Sequence, residues 1–209
     1  MKRILSLAII IAFTAVGSGL ADEWRIDKTH STVRFGVSHM VISTVHGIFS
    51  DFEGTINFNG EDIAPSSVEF TVQTASIDTD DEKRDKHIRS DDFLNAEKYP
   101  TMTFKSTSIE AGKDGAFTLT GDLTIRDVTK KVSFDCKFRG VIDDNRGNTR
   151  AGFTAATTIK RDEYNVSFSG SLDVGGLLVG NEMELELALE AVKVKPKDAS
   201  DEDSKDSDG

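Results

Sequence analysis

Chemistry in this chain would have to come from His30, His39, His46 and His87, from Cys136, or from the carboxylates and arginines crowded into a few segments. His39 and His46 are seven residues apart, without the HxH or HExxH spacing that turns two imidazoles toward one ion, so no metal site is expected. Cys136 stands in the alternating run Val132, Phe134, Cys136, Phe138 and reads as a small buried hydrophobe. A single thiol makes no internal disulfide, and no histidine close in sequence would activate it. The pairs Asp80-Asp81 and Asp91-Asp92 fall in charged, solvated segments, where carboxylates are seldom tuned for acid–base work. GxSxG elbows, glycine-rich phosphate loops and CxxC pairs are all missing from the sequence. No catalytic residue and no cofactor are therefore expected.

The cations suggest binding. Arg84, His87 and Arg89 lie in 79–99, a stretch rich in charge and without strand alternation. Helix is expected over 81–88 and 92–96, and an irregular insertion this long often has a function. A guanidinium there could hold a phosphate or another polar head group. The blander reading, which suits Arg34, Arg126 and Arg161 as well, is solvent-exposed pairing with the abundant Asp and Glu. The net charge of −11 makes nucleic acid an unsuitable partner.

Period-two alternation is what must position these groups. Trp24 and Ile26 begin it, followed by Val33, Phe35 and Val37. Ile48, Phe52, Gly54, Ile56 and Phe58 share one parity over a long strand or bent pair. Val68, Phe70 and Val72, then Met102 and Phe104, continue the series. Phe117, Leu119, Gly121, Leu123 and Ile125 follow, and then 132–138. Ala151, Phe153, Ala155, Thr157 and Ile159 come next. Met183, Leu185, Leu187 and Leu189 close it against Glu182, Glu184, Glu186 and Glu190. Each run places apolar side chains on one sheet face. Turn-forming clusters at 59–62, 112–115 and 143–148 separate runs, giving about eight antiparallel strands, enough for a barrel that holds side chains or one slender ligand.

The ends are different. Lys2 and Arg3 precede an apolar stretch to Val16, and Gly19-Leu20-Ala21 supplies small residues before Asp22, the pattern of a secretory signal peptide over 1–21. The stretch is shorter than the roughly 20 residues of a membrane-spanning helix. Residues 196–209 are acidic, with no large apolar side chain, and read as a disordered tail. One domain over 22–195 remains.

Thirteen phenylalanines against one tryptophan and two tyrosines suggest a dry interior able to receive an alkyl chain. Rings that simply fill the barrel would account for many of them. Small residues at inward parity, Gly54, Gly121, Ala151 and Ala155, are expected to leave room for a ligand.

Four blocks then resemble one family. WRIDKTHSTVRFGVSHMVISTVHGIFSDFEGTINF (24–58), SIDTDDEKRDKHIRSDDFLNAEKYPTMTF (76–104), GDLTIRDVTKKVSF (121–134) and the stretch around IKRDEY (159–164) are similar, in order, to the signatures of the YceI-like, polyisoprenoid-binding family. The chain departs from them at Arg126-Asp127, Lys131 and Asp162-Glu163-Tyr164. The resemblance implies an all-β fold: an extended, lipocalin-like, eight-stranded antiparallel β-barrel with a short helical insertion, holding a long isoprenoid chain and commonly periplasmic. With the alternation, it gives an expected cavity lining of Phe35, Val37, Phe49, Phe52, Ile56, Phe70, Phe104, Leu119, Leu123, Phe134, Phe138 and Phe153. His30, His39, Arg84, His87 and Arg89 match its signatures and are expected at the mouth, around the head group. The function implied is a periplasmic binder or carrier of an isoprenoid quinone or polyprenyl phosphate. The alternatives are an enzyme acting on such a lipid, or a stress-response protein with no ligand. Membrane-associated envelope proteins and a second copy of the chain are compatible partners.

Overall fold

The computed structural model describes residues 21–64, 66–170 and 178–195. The expected signal peptide, apart from Ala21, and the expected acidic tail lie outside the described residues.

The alternating segments form strands β1 (Asp22–Ile26), β2 (Thr32–His39), β3 (Ser43–Phe49), β4 (Phe52–Phe58), β5 (Ser67–Gln73) and β6 (Ile77–Asp78). Helix α1 (Glu82–Arg89) follows. Then come β7 (Thr101–Ala111), β8 (Ala116–Ile125), β9 (Val128–Asp143), β10 (Thr149–Lys160) and β11 (Val179–Lys193). Every pairing is antiparallel. The order β1-β4-β5-β7-β8-β9-β10-β11 closes on itself through β1–β11, a barrel of eight strands. Closure leaves no sheet edge around this ring.

The remaining three strands extend the same wall. β11 pairs with β1 near its C-terminal end and with β2 along its earlier part. β2 pairs with β3, and β3 with β6. Thus β1/β2, β3/β4 and β5/β6 are three bent strands, interrupted at 27–31, 50–51 and 74–76. The breaks stack across the wall. Ser50 N donates to Ser76 O at 3.1 Å, and Gln73 N donates to Asp51 O at 2.9 Å. Lys28 pairs with Asp51 at 2.7 Å. The break at Ser50-Asp51 also switches side-chain parity. Phe49 is buried with Phe52 and Ile56, whereas Ile48 is 36% exposed. The expectation of one parity from Ile48 through Phe58 is corrected accordingly.

One helix forms in the insertion. Asp81 caps it by accepting from Arg84 N at 2.9 Å. The expected second helix over 92–96 is instead a run of turns, with Asn95 at φ 48° and its N–H donating to Ser90 O. A left-handed residue inside so short a segment ends α-helical bonding.

Two glycines do something other than leave space. A Cβ on Gly54 would lie 2.5 Å from Phe70 Cδ2. One on Gly121 would press on the Phe104 ring and lie 2.5 Å from Lys105 O. Neighbouring rings already occupy the room expected at these positions, and Ala151 is buried in the core. Gly121→Ala should cost about 1–3 kcal/mol, because the clash with backbone cannot be relieved by a rotamer change. A urea midpoint equal to that of the unmodified chain would show that the ring moves freely.

On the outer wall, Arg150 joins three acids. It pairs with Asp144 at 2.7 Å, with Asp27 at 2.8 Å and with Glu190. Asp27 also accepts from His30 and from Thr29 N. The His30 hydrogen bond, then those from Arg150 and Thr29, outweigh burial and hold its carboxyl down at about 2. Its folded pKa therefore lies below the ordinary carboxylate value. The stabilisation is present above pH ~4 and disappears as pH falls through ~2. Asp27→Asn should lose about 1 kcal/mol at pH 7 after discounting for solvent screening. Chemical denaturation from pH 6 to 2 should show the two proteins converging, and a constant gap would reject this origin.

Candidate functional site

The barrel has two different ends. At one, Trp24 donates its indole N–H to Phe58 O at 2.8 Å. The Phe58 ring lies 5.9 Å from that of Trp24, 5.3 Å from Phe138 and 6.0 Å from Phe153. Trp24 and Phe58 are 1% and 0% exposed, so these rings seal that end.

The other part of the barrel holds a cavity of about 460 Å³, within the ~300–1,000 Å³ range of small-ligand sites. Its wall comes from the inward parity of many strands. Phe35, Val37, Phe49, Phe70, Phe104, Leu119, Leu123 and Phe134 line it, eight of the twelve side chains expected there. Phe52, Ile56, Phe138 and Phe153 do not. Phe138 and Phe153 belong to the sealed end, Phe52 stacks on Phe70 at 5.7 Å, and Ile56 is buried in the core. Met183, Leu185, Leu187 and Leu189 complete the wall. Their alternation was plain in the sequence, but a strand of four aliphatic residues carries no signal that it faces space instead of a packed core. Ala155 also lines the cavity, where small size does leave room.

The rim combines α1, the turns after it, the segment after β10 and the β2–β3 hairpin. Of the five residues expected at the mouth, His39, Arg84 and His87 line the cavity. His30 does not, since it sits on the outer wall with Asp27. Arg89 does not either: its guanidinium donates to Ala75 O at 2.8 Å and Ile77 O at 2.7 Å, tying α1 to the bent strand. His39 and His46 point to opposite faces of the hairpin. His39 faces the cavity with Phe35 and Val37, while His46 is exposed.

Arg84 is held in place. Its Nε donates to Thr79 Oγ1 at 2.8 Å and its Nη2 to Thr79 O at 2.6 Å. Thr79 in turn donates through N and Oγ1 to the buried Asp85 carboxylate. Among the described residues Nη1 has no protein partner, so a fixed cationic donor remains at the rim. His87 bonds Asp92 at 2.9 Å and lies edge-on to Phe93 and Phe168, at 5.0 and 4.9 Å. Phe93 and Phe168 were not legible as site residues, because each lies in an aperiodic segment.

Arg161, 5% exposed, also lines the cavity. It donates to Gly180 O at 2.7 Å, Val166 O at 2.8 Å and Val179 O at 2.9 Å. Burial lowers its pKa, and three carbonyls take the place of water. Its role is to join the end of β10 to the start of β11, so the expectation of a solvent-exposed pair is corrected. Arg126 likewise donates to Phe93 O and Asn165 O, bracing two rim segments. Cys136 is buried, and desolvation pushes its thiol up to about 12.

A family model described as a YceI-like domain matches residues 24–191. Protein YceI of Escherichia coli O157:H7 is 40% identical over 197 residues, covering 93% of this chain and 99% of that protein. The crystal structure of the Campylobacter jejuni YceI protein superposes with a TM-score of 0.66 at 30% identity, over 76% of this chain and 90% of that one. A polyisoprenoid binding domain from Saccharophagus degradans shares the fold, with a TM-score of 0.64 at 15% identity over 84% of this chain and 99% of its own.

Proposed function

The chain belongs to the YceI-like domain family, and from that membership we propose that it binds a long-chain polyisoprenoid lipid in its barrel and carries it in the periplasm without transforming it. The observation that carries this reading is a cavity walled by apolar side chains, sealed by aromatic rings at one end and bordered by Arg84 and His39 at the other. Apolar burial is worth roughly 25 cal/mol per Å², so an isoprenoid tail can be held with few polar contacts. A head group with acceptor oxygens, a quinone carbonyl or a phosphate, would meet Nη1 of Arg84, which has no protein partner among the described residues. The Saccharophagus domain, described as polyisoprenoid binding, supports the ligand class. The charged start, apolar stretch and small-residue site over 1–21 support export. Binding without conversion is supported by how the cavity's basic groups are used: Arg84 is held by Thr79, His87 by Asp92 and Arg161 by backbone carbonyls.

Organic extraction of the purified protein, followed by mass spectrometry, should recover an isoprenoid in near-stoichiometric amount. Extracts free of isoprenoid after expression in a host rich in quinones and polyprenyl lipids would refute the assignment. A recovered lipid that is converted on prolonged incubation would favour an enzyme instead.

A further inference from the structure

The rim carries an apolar prominence that the cavity does not use. Met40, Val41 and Ile42 form the tip of the β2–β3 hairpin and are 39%, 68% and 85% exposed. The tip is fixed to the mouth, since Met40 N donates to Leu178 O at 2.9 Å, and Leu178 and His39 both line the cavity. Phe168, 37% exposed, stands on the same rim against His87.

Two further observations set this tip apart from a chance patch. Met40 and Val41 have φ values of 52° and 65°. Glycine or asparagine suits such a turn, and a β-branched residue there is strained. Residues 35–50 also contain no Asp, Glu, Lys or Arg, in a chain that is 29% charged. Such a hairpin can enter an apolar phase without dragging in an ion.

We infer that the Met40–Val41–Ile42 tip docks the mouth of the barrel on a zwitterionic lipid bilayer, so that cargo passes between membrane and cavity without crossing water. The inference rests on the lipid-carrier reading for its purpose. The absence of charged side chains over 35–50 selects the bilayer, and the net charge of −11 selects a neutral surface over an anionic one. Only a hairpin tip is inserted, so the contact is reversible, as delivery requires.

Flotation with phosphatidylcholine vesicles tests this directly. The full protein should float with the vesicles, and Val41→Asn combined with Ile42→Ser should float about 30-fold less, from the apolar area withdrawn. Asparagine accepts the left-handed conformation, so this variant should keep its thermal midpoint. Ile42→Trp should bind more tightly and show a blue-shifted emission on vesicle addition. Equal flotation of the double variant, or a wild-type protein that stays off the vesicles, would overturn the inference. So would a double variant that turns a dimer into a monomer in sedimentation, which would assign the tip to a second copy. Flotation does not depend on cargo. Extracts without isoprenoid beside tip-dependent flotation would therefore defeat the carrier reading alone, and isoprenoid beside tip-independent flotation would defeat only the docking.

Discussion

Ala155→Trp should leave the barrel folded and nearly empty of lipid. Ala155 lies on β10, opposite Leu187 on β11 and Cys136 on β9, and its side chain faces the cavity. An indole at that point takes up space the ligand needs. Displacing roughly 100 Å² of ligand contact costs about 2.5 kcal/mol at ~25 cal/mol per Å², a loss on the order of sixtyfold in affinity. The protein itself should lose little, because the new ring grows into empty space instead of into packed atoms. The measurement is the molar ratio of extracted lipid to protein, beside the thermal midpoint. Undiminished loading in a folded variant would mean that the lipid, if any, sits elsewhere.

Phe58→Ala should have the opposite signature, with a large loss of stability that does not act through the cavity. Phe58 is 0% exposed and meets Trp24, Phe138 and Phe153. Removing a fully buried phenyl ring costs about 3–5 kcal/mol. For a domain of this size that lowers the melting temperature by roughly 10 °C. Phe134→Ala, by contrast, removes a ring that already faces space, and should cost less in the ligand-free protein. Near-ultraviolet circular dichroism reports the change well, since the only tryptophan, Trp24, donates to the Phe58 carbonyl. A melting temperature within 2 °C of wild type would show that the aromatic end is not where the barrel gains its stability.

The sealed end and the cavity are made of the same residue type, and that explains which parts of the site were legible. Alternation put Phe104, Phe134, Phe138 and Phe153 on the inner face, and all four point inward. It could not say that two of them line the cavity while the other two pack against Phe58, because depth along the barrel axis depends on strand stagger, which no single strand encodes. Gly54 and Gly121 show the same gap. Their inward parity was correct, yet the rings of Phe70 and Phe104 from neighbouring strands fill the space over them. Ser50-Asp51 hid a change of parity because a bend is a three-dimensional event, held by bonds to residues more than twenty positions away.

The mouth was half legible for a similar reason. Arg84, His87 and Arg89 sit within six residues, yet a helix turns neighbours to different sides. Arg84 and His87 thus reach the cavity, while Arg89 reaches back to Ala75 and Ile77. Phe93 and Phe168 meet at 4.9 Å from aperiodic segments 75 positions apart, a contact with no signature in either segment.

By itself the sequence determined the period of the strands, the inward face of most of them, the one helical insertion and the family. These follow from local side-chain alternation and from signature blocks, both written along the chain. Tertiary structure alone decided which end is sealed, where the interior stays empty, and which cations border it. Those properties depend on barrel closure and stagger, which bring together side chains that nothing in their local sequence relates.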